Sequence, residues 1–86
     1  MPRYFFHSRD GGLYHDPDGA ELPDLRAAGL EAVRYLAELL REEPDGFWRA
    51  GELQLTIADA EGAALCVLIL TRSGACGAPD ADPGGP

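Results

Sequence analysis

The chain opens with a short crowded apolar run, Tyr4-Phe5-Phe6, flanked by Arg3 and by His7-Ser8. Bulky aromatics confined to a few positions and followed by turn residues predict a strand over Arg3 to Ser8. Arg9-Asp10-Gly11-Gly12 supplies the turn, because Asp-Gly and Gly-Gly accept the positive φ of tight hairpins. Leu13-Tyr14-His15 is then a short second strand, and Asp16-Pro17-Asp18-Gly19 a second turn. Ala20-Glu21-Leu22 briefly resumes an extended path.

The period then changes. From Leu25 the apolar positions run Leu25, Ala28, Ala32, Val33, Leu36, Leu39 and Leu40, a stripe at helical spacing. Asp24 suits the N-cap, and Pro44-Asp45-Gly46 is expected to end the helix, leaving Phe47-Trp48 in a loop. Glu31, Arg34, Glu38 and Arg41 form a solvated face with ion pairs worth about 0.2–0.5 kcal/mol each. Gly29 interrupts the stripe at a cost of about 1 kcal/mol relative to alanine, and close approach of helix to sheet is its expected compensation. Glu52 to Ala58 returns to period two, with Leu53, Leu55 and Ile57 on one face. Asp59 to Gly62 makes a turn, and Ala63 to Leu70 is apolar at every position.

Strand, strand, helix, strand, strand predicts an α+β fold of ββαββ type. A right-handed helical crossover from the second strand to the third, with the first strand between them, gives a four-stranded antiparallel sheet in the order 2-1-3-4. One helix covers one face. The domain is expected to span 1–72, with a Gly/Pro/Asp-rich disordered tail at 73–86. Strand 4 then falls at the edge, long, apolar and uncharged. Exposed edges of that kind are normally blunted or paired. A homodimer is therefore expected, through strand 4 or the open sheet face. Tyr4, Phe6, Leu65, Val67 and Ile69 are its candidate contacts, joined by Leu30, which falls off the apolar stripe of the helix.

Charge narrows the partners. Fifteen acids against seven bases give a net charge of −8 over 86 residues. Such a surface repels a polyanion, so nucleic acid is not an expected partner. No stretch reads as a signal peptide or reaches the roughly 20 apolar residues of a spanning helix, so no membrane role is expected and the cytoplasm is the expected location. Cys66 is expected in the core and Cys76 as a free thiol in the tail.

Candidate chemistry is sparse. His7, Asp10, His15 and Asp16 cluster around one hairpin and are metal-binding types, but their spacing matches no ligand signature, so a structural role and no metal are expected. Pro2 would become an N-terminal secondary amine once Met1 is removed, as in proline-based tautomerases, with Arg3, Arg9 and Arg34 as candidate clamps. The size would suit, but the hairpin and two turns before the helix do not. No nucleophile triad, phosphate loop or cofactor motif is present. The expectation is a non-catalytic protein without a cofactor.

The opening Met1-Pro2-Arg3-Tyr4-Phe5-Phe6-His7, Asp10-Gly11, Glu21-Leu22-Pro23-Asp24-Leu25, Glu31-Ala32 and the Asp59-to-Gly62 turn together resemble a family of small bacterial proteins, domain of unknown function 6894. The resemblance covers about residues 1 to 70. It departs at Gly29-Leu30, where a polar helix segment is usual, and at the last strand, which lacks a Pro-Phe ending. It implies no catalytic or binding residue. The expected function is a small interaction or regulatory accessory domain that self-associates. The alternatives are an antitoxin-like protein neutralising a basic partner and, behind it, the Pro2-based tautomerase.

Overall fold

Arg3–Arg9 forms β1, the strand around which the rest of the sheet assembles. The computed structural model describes residues 1–10 and 13–74. Two short strands, β2 (Leu13–Tyr14) and β3 (Ala20–Glu21), pair with the end and the beginning of β1 respectively. Helix α1 (Leu25–Glu42) and helix α2 (Pro44–Ala50) follow. The chain returns as β4 (Glu52–Ala58) and β5 (Ala64–Thr71). All pairings are antiparallel, in the order β2-β1-β4-β5, with β3 pairing β1 off that path. No helix among the described residues is long and apolar enough to cross a membrane.

The α+β class and the antiparallel sheet match expectation; two details do not. The sheet has five strands rather than four, because Ala20–Glu21 pairs with Tyr4 and Arg3 instead of merely passing by. The fold also has two helices rather than one. Pro44 ends α1 and simultaneously occupies the first turn of α2, where its missing N–H costs nothing. Asp45 and Arg49 bridge that turn at 2.8 Å, and Gly51 stops it at φ 81°, its N–H donating to the Phe47 carbonyl at 2.8 Å. Phe47 and Trp48 therefore lie on a helix. The expected tail at 73–86 falls outside the described residues from 75 onward, as do Cys76 and the Gly11-Gly12 part of the first turn.

Helix α1 starts where Asp24 Oδ1 accepts the Ala27 N–H at 2.9 Å. Its solvated face carries the Glu31–Arg34 and Glu38–Arg41 pairs at 3.0 and 2.8 Å. Ala28 and Ala32, both 0% exposed, rest on Tyr4, Phe6, Leu55 and Ile57. Small side chains four residues apart are what bring the helix down onto the sheet. Gly29 plays no part in that, since a Cβ there would meet nothing within 4 Å. The expected compensation is absent. Gly29→Ala should raise the unfolding free energy by about 1 kcal/mol, read from the midpoint of chemical denaturation.

Candidate interaction surface

The seating of α1 decides what stays uncovered. Its alanines lie over β1 and β4, so the helix stops short of β5. Leu53, Leu55 and Ile57 of β4 are buried, whereas along β5 only Leu68 is even half-buried. Strand pairing sets Leu55 opposite Leu68 and Leu53 opposite Leu70, which puts Leu68 and Leu70 on the helix side. Gln54 opposes Ile69 and Thr56 opposes Val67, which puts those two on the open side. Leu65 sits at a bulge near Ala58. A strand apolar from Ala64 to Leu70 thus shows both faces, with Val67 45% and Ile69 57% exposed. Soluble domains rarely leave an apolar strand uncovered on this scale.

The helix extends this surface. Val33, Leu36, Ala37 and Leu40 line a groove of about 430 Å³ with Leu68, Ile69 and Leu70. Val33 is 54% exposed although it belongs to the apolar stripe, because that stripe is wider than the part of the helix that meets the sheet. The opposite flank, with Glu31, Arg34 and Glu38, borders a second cleft near Phe6, Tyr14, Asp16 and Tyr35. Helix α1 is therefore apolar toward β5 and charged toward β2.

The candidate contacts divide accordingly. Leu65, Val67 and Ile69 are exposed together on β5. Tyr4 and Phe6 are corrected: each is 7% exposed in the core, because β1 turns those residues toward α1. Leu30 is 44% exposed but lies two positions from both Ala28 and Ala32, almost opposite the sheet-facing side, and does not join the groove. Cys66 is also corrected, from core to exposed, since α1 does not reach its end of β5. The sequence carried a signal for Val33 and Leu40, in a stripe too wide for one contact.

The His/Asp cluster does come together, as a hydrogen-bonded corner. Asp16 fills the gap between β2 and β3 along β1. Its carboxylate accepts the Phe6 N–H at 3.3 Å and the Asp18 and Gly19 N–H groups at 3.1 Å each. The Asp16 N–H donates to His7 Nδ1 at 3.1 Å, and the His7 and His15 rings meet edge-on at 4.9 Å. Burial alone would push the Asp16 carboxyl up. The amides of Gly19, Asp18 and Phe6 outweigh it and hold the group below its ordinary value. Tyr35 is raised, chiefly by burial. Asp10 is exposed, and no group of three metal-ligating side chains occurs among the described residues.

Pro2 is exposed, with its carbonyl accepting the Leu22 N–H at 3.1 Å. Neither clamp candidate beside an acid is directed at it. Arg3 reaches the Asp18 carbonyl at 2.7 Å and Glu21 at 3.4 Å, and Arg34 holds Glu31. The far end of β5 is tied back in the same way. Arg72 donates to the Trp48 carbonyl at 2.7 Å and lies 5.4 Å from the centre of its ring.

No curated protein and no solved structure matches the chain. A family model does match, over residues 3–71, and the match takes in the whole sheet, both helices and the exposed strand. The chain belongs to the family described as Domain of unknown function (DUF6894).

Proposed function

We propose that this protein is a small non-catalytic interaction domain that works by presenting β5, and that it self-associates through that strand in the cytoplasm. One observation carries the reading: an uninterrupted apolar strand stands exposed on both faces beside an apolar helix flank. Burying such a surface contributes roughly 25 cal/mol per Å² of apolar area. Outside it, a net charge of −8 discourages nucleic acid and indiscriminate contact alike. The reading needs no metal, cofactor or nucleophile. Pro2 stands exposed, and Arg3 and Arg34 are engaged elsewhere, which weighs against the tautomerase alternative.

Native mass spectrometry and light scattering across a concentration series test it. The full chain should run as a dimer. Leu70→Lys should weaken association by at least about 100-fold, because Leu70 lines the groove between α1 and β5 and an unpaired ammonium there would have to leave water at the contact. Its fold should persist, since Leu70 is 39% exposed. Leu13→Lys, at an exposed site on β2, should leave the dimer intact. A wild-type chain that stays monomeric at millimolar concentration would defeat the self-association.

A further inference from the structure

We infer that β5 is covered by a second copy of this chain, added as an antiparallel strand with Leu68 on the two-fold axis. This rests on the reading of β5 as the contact surface. It follows from which backbone groups the strand leaves unpaired.

Those groups can be traced across the sheet. On β1, the Phe6 N–H donates to Asp16 and the Pro2 carbonyl accepts from Leu22, so even-numbered residues there point away from β4. Their β4 partners Ile57 and Leu55 must then direct N–H and C=O toward β5. Cys66 and Leu68, opposite those two, face β4. The Arg72 N–H, donating to the Gly51 carbonyl at 3.2 Å, continues the same alternation. Val67, Ile69 and Thr71 therefore direct N–H and C=O outward, where no strand among the described residues pairs with them.

What completes such an edge must be another strand. The opposite side of the sheet cannot serve, because β2 and β3 are two residues each and the Asp16 corner separates them. That leaves β5 to pair with β5. Like strands can close a two-fold dimer only if one residue faces its own counterpart. Outward residues must also meet outward residues. Val67, Leu68 or Ile69 on the axis meets both conditions, and of these Leu68 overlaps the strands over 65–71 with the Leu65 bulge kept to the end. Val67 then meets the partner's Ile69 and exchanges two hydrogen bonds with it, and the symmetric pair repeats this. Cys66 meets the partner's Leu70. No charge enters this ladder, since Arg72 is held against Trp48.

The same geometry places the two α1 helices on one side of a continuous sheet, as a two-fold axis normal to the sheet requires. The groove beside each β5 becomes half of a shared valley. Its floor is Leu68 and Leu70 of both copies, and its walls are the Val33 and Leu40 flanks. Closure leaves only the blunted β2–β3 edges free, so strand addition stops at two.

Amide hydrogen exchange on the full chain tests this directly. The Val67 and Ile69 amides should exchange at least about 100-fold more slowly in the dimer than in the Leu70→Lys monomer or on dilution. Cys66, Leu68 and Leu70 amides should be protected in both states. A dimer whose Val67 and Ile69 amides exchange as fast as a monomer's would overturn strand addition while leaving the contact surface standing. A chain monomeric at every concentration would overturn both.

The register has its own test. Single cysteines are placed at 67, 68 or 69 in a chain carrying Cys66→Ser and Cys76→Ser. Only Leu68→Cys should link efficiently under mild oxidation, its two Cα atoms being about 4.5 Å apart in a non-hydrogen-bonded pair. Preferential linking at 67 or 69 would move the axis off Leu68.

Discussion

Replacing Gly19 by alanine is expected to destabilise the fold by about 2–5 kcal/mol, the largest single effect among the glycines of the described residues. Two costs combine. Gly19 sits at φ +68°, a conformation that costs an L-residue about 1–2 kcal/mol. Its Cβ would also lie 2.7 Å from the Tyr4 carbonyl oxygen and 2.9 Å from the Phe5 ring. The first of these is backbone of the central strand and cannot swing aside, so overpacking adds about 1–3 kcal/mol. Gly62 separates the two terms. It has φ +87°, and a Cβ there would meet nothing within 4 Å, so Gly62→Ala should show the conformational cost alone. Equal losses in the two variants, by urea denaturation, would mean that β3 does not hold the Asp16 loop against β1.

Asp16→Ala is expected to cost about 2–4 kcal/mol, because part-buried amides at Phe6 and Gly19 would lose their acceptor. Asp16→Asn should fall between it and the wild type, since an amide NH2 cannot accept where a carboxylate oxygen did. The pH dependence follows from the direction of the shift. The folded-state pKa of Asp16 lies below the ordinary value, so its contribution is fully present above the unfolded-state pKa. It is lost as pH falls through the folded-state pKa. The stability gap between wild type and Asp16→Asn should therefore be largest near about pH 7 and shrink toward about pH 3. A gap independent of pH would show that the carboxylate's charge is not what the three amides stabilise.

These two sites share a pattern that is visible in the sequence and acquires meaning only in the fold. Asp16-Pro17-Asp18-Gly19 and Asp59-Ala60-Glu61-Gly62 both read as turns. In each, the aspartate accepts amides a few residues ahead: Asp16 takes Asp18 and Gly19, and Asp59 Oδ1 takes Glu61 at 3.0 Å and Ala63 at 2.9 Å. Asp59 serves its own hairpin. Asp16 also reaches the Phe6 N–H ten residues back and so joins the loop to the middle of β1. Spacing along the chain shows the turn; it holds no trace of the distant strand that the carboxylate serves.

The sequence by itself determined the local order. Alternation at Leu53, Leu55 and Ile57, the stripe from Leu25 to Leu40 and the Asp24 cap required β4, α1 and its start, because period and capping are properties of consecutive residues. It also required that β5 be apolar. What it left open were the consequences of seating one helix on the sheet. Tyr4-Phe5-Phe6 is aromatic throughout, so no alternation marked Tyr4 and Phe6 as the pair that α1 covers. Nor did the pattern show that Ala28 and Ala32, rather than Gly29, would carry the close approach. Only the packed arrangement determined that α1 rests over β1 and β4 and leaves β5 bare. An apolar strand looks the same in sequence whether a helix or a second chain covers it, and the distinction arises from the width of sheet that a single helix can cover.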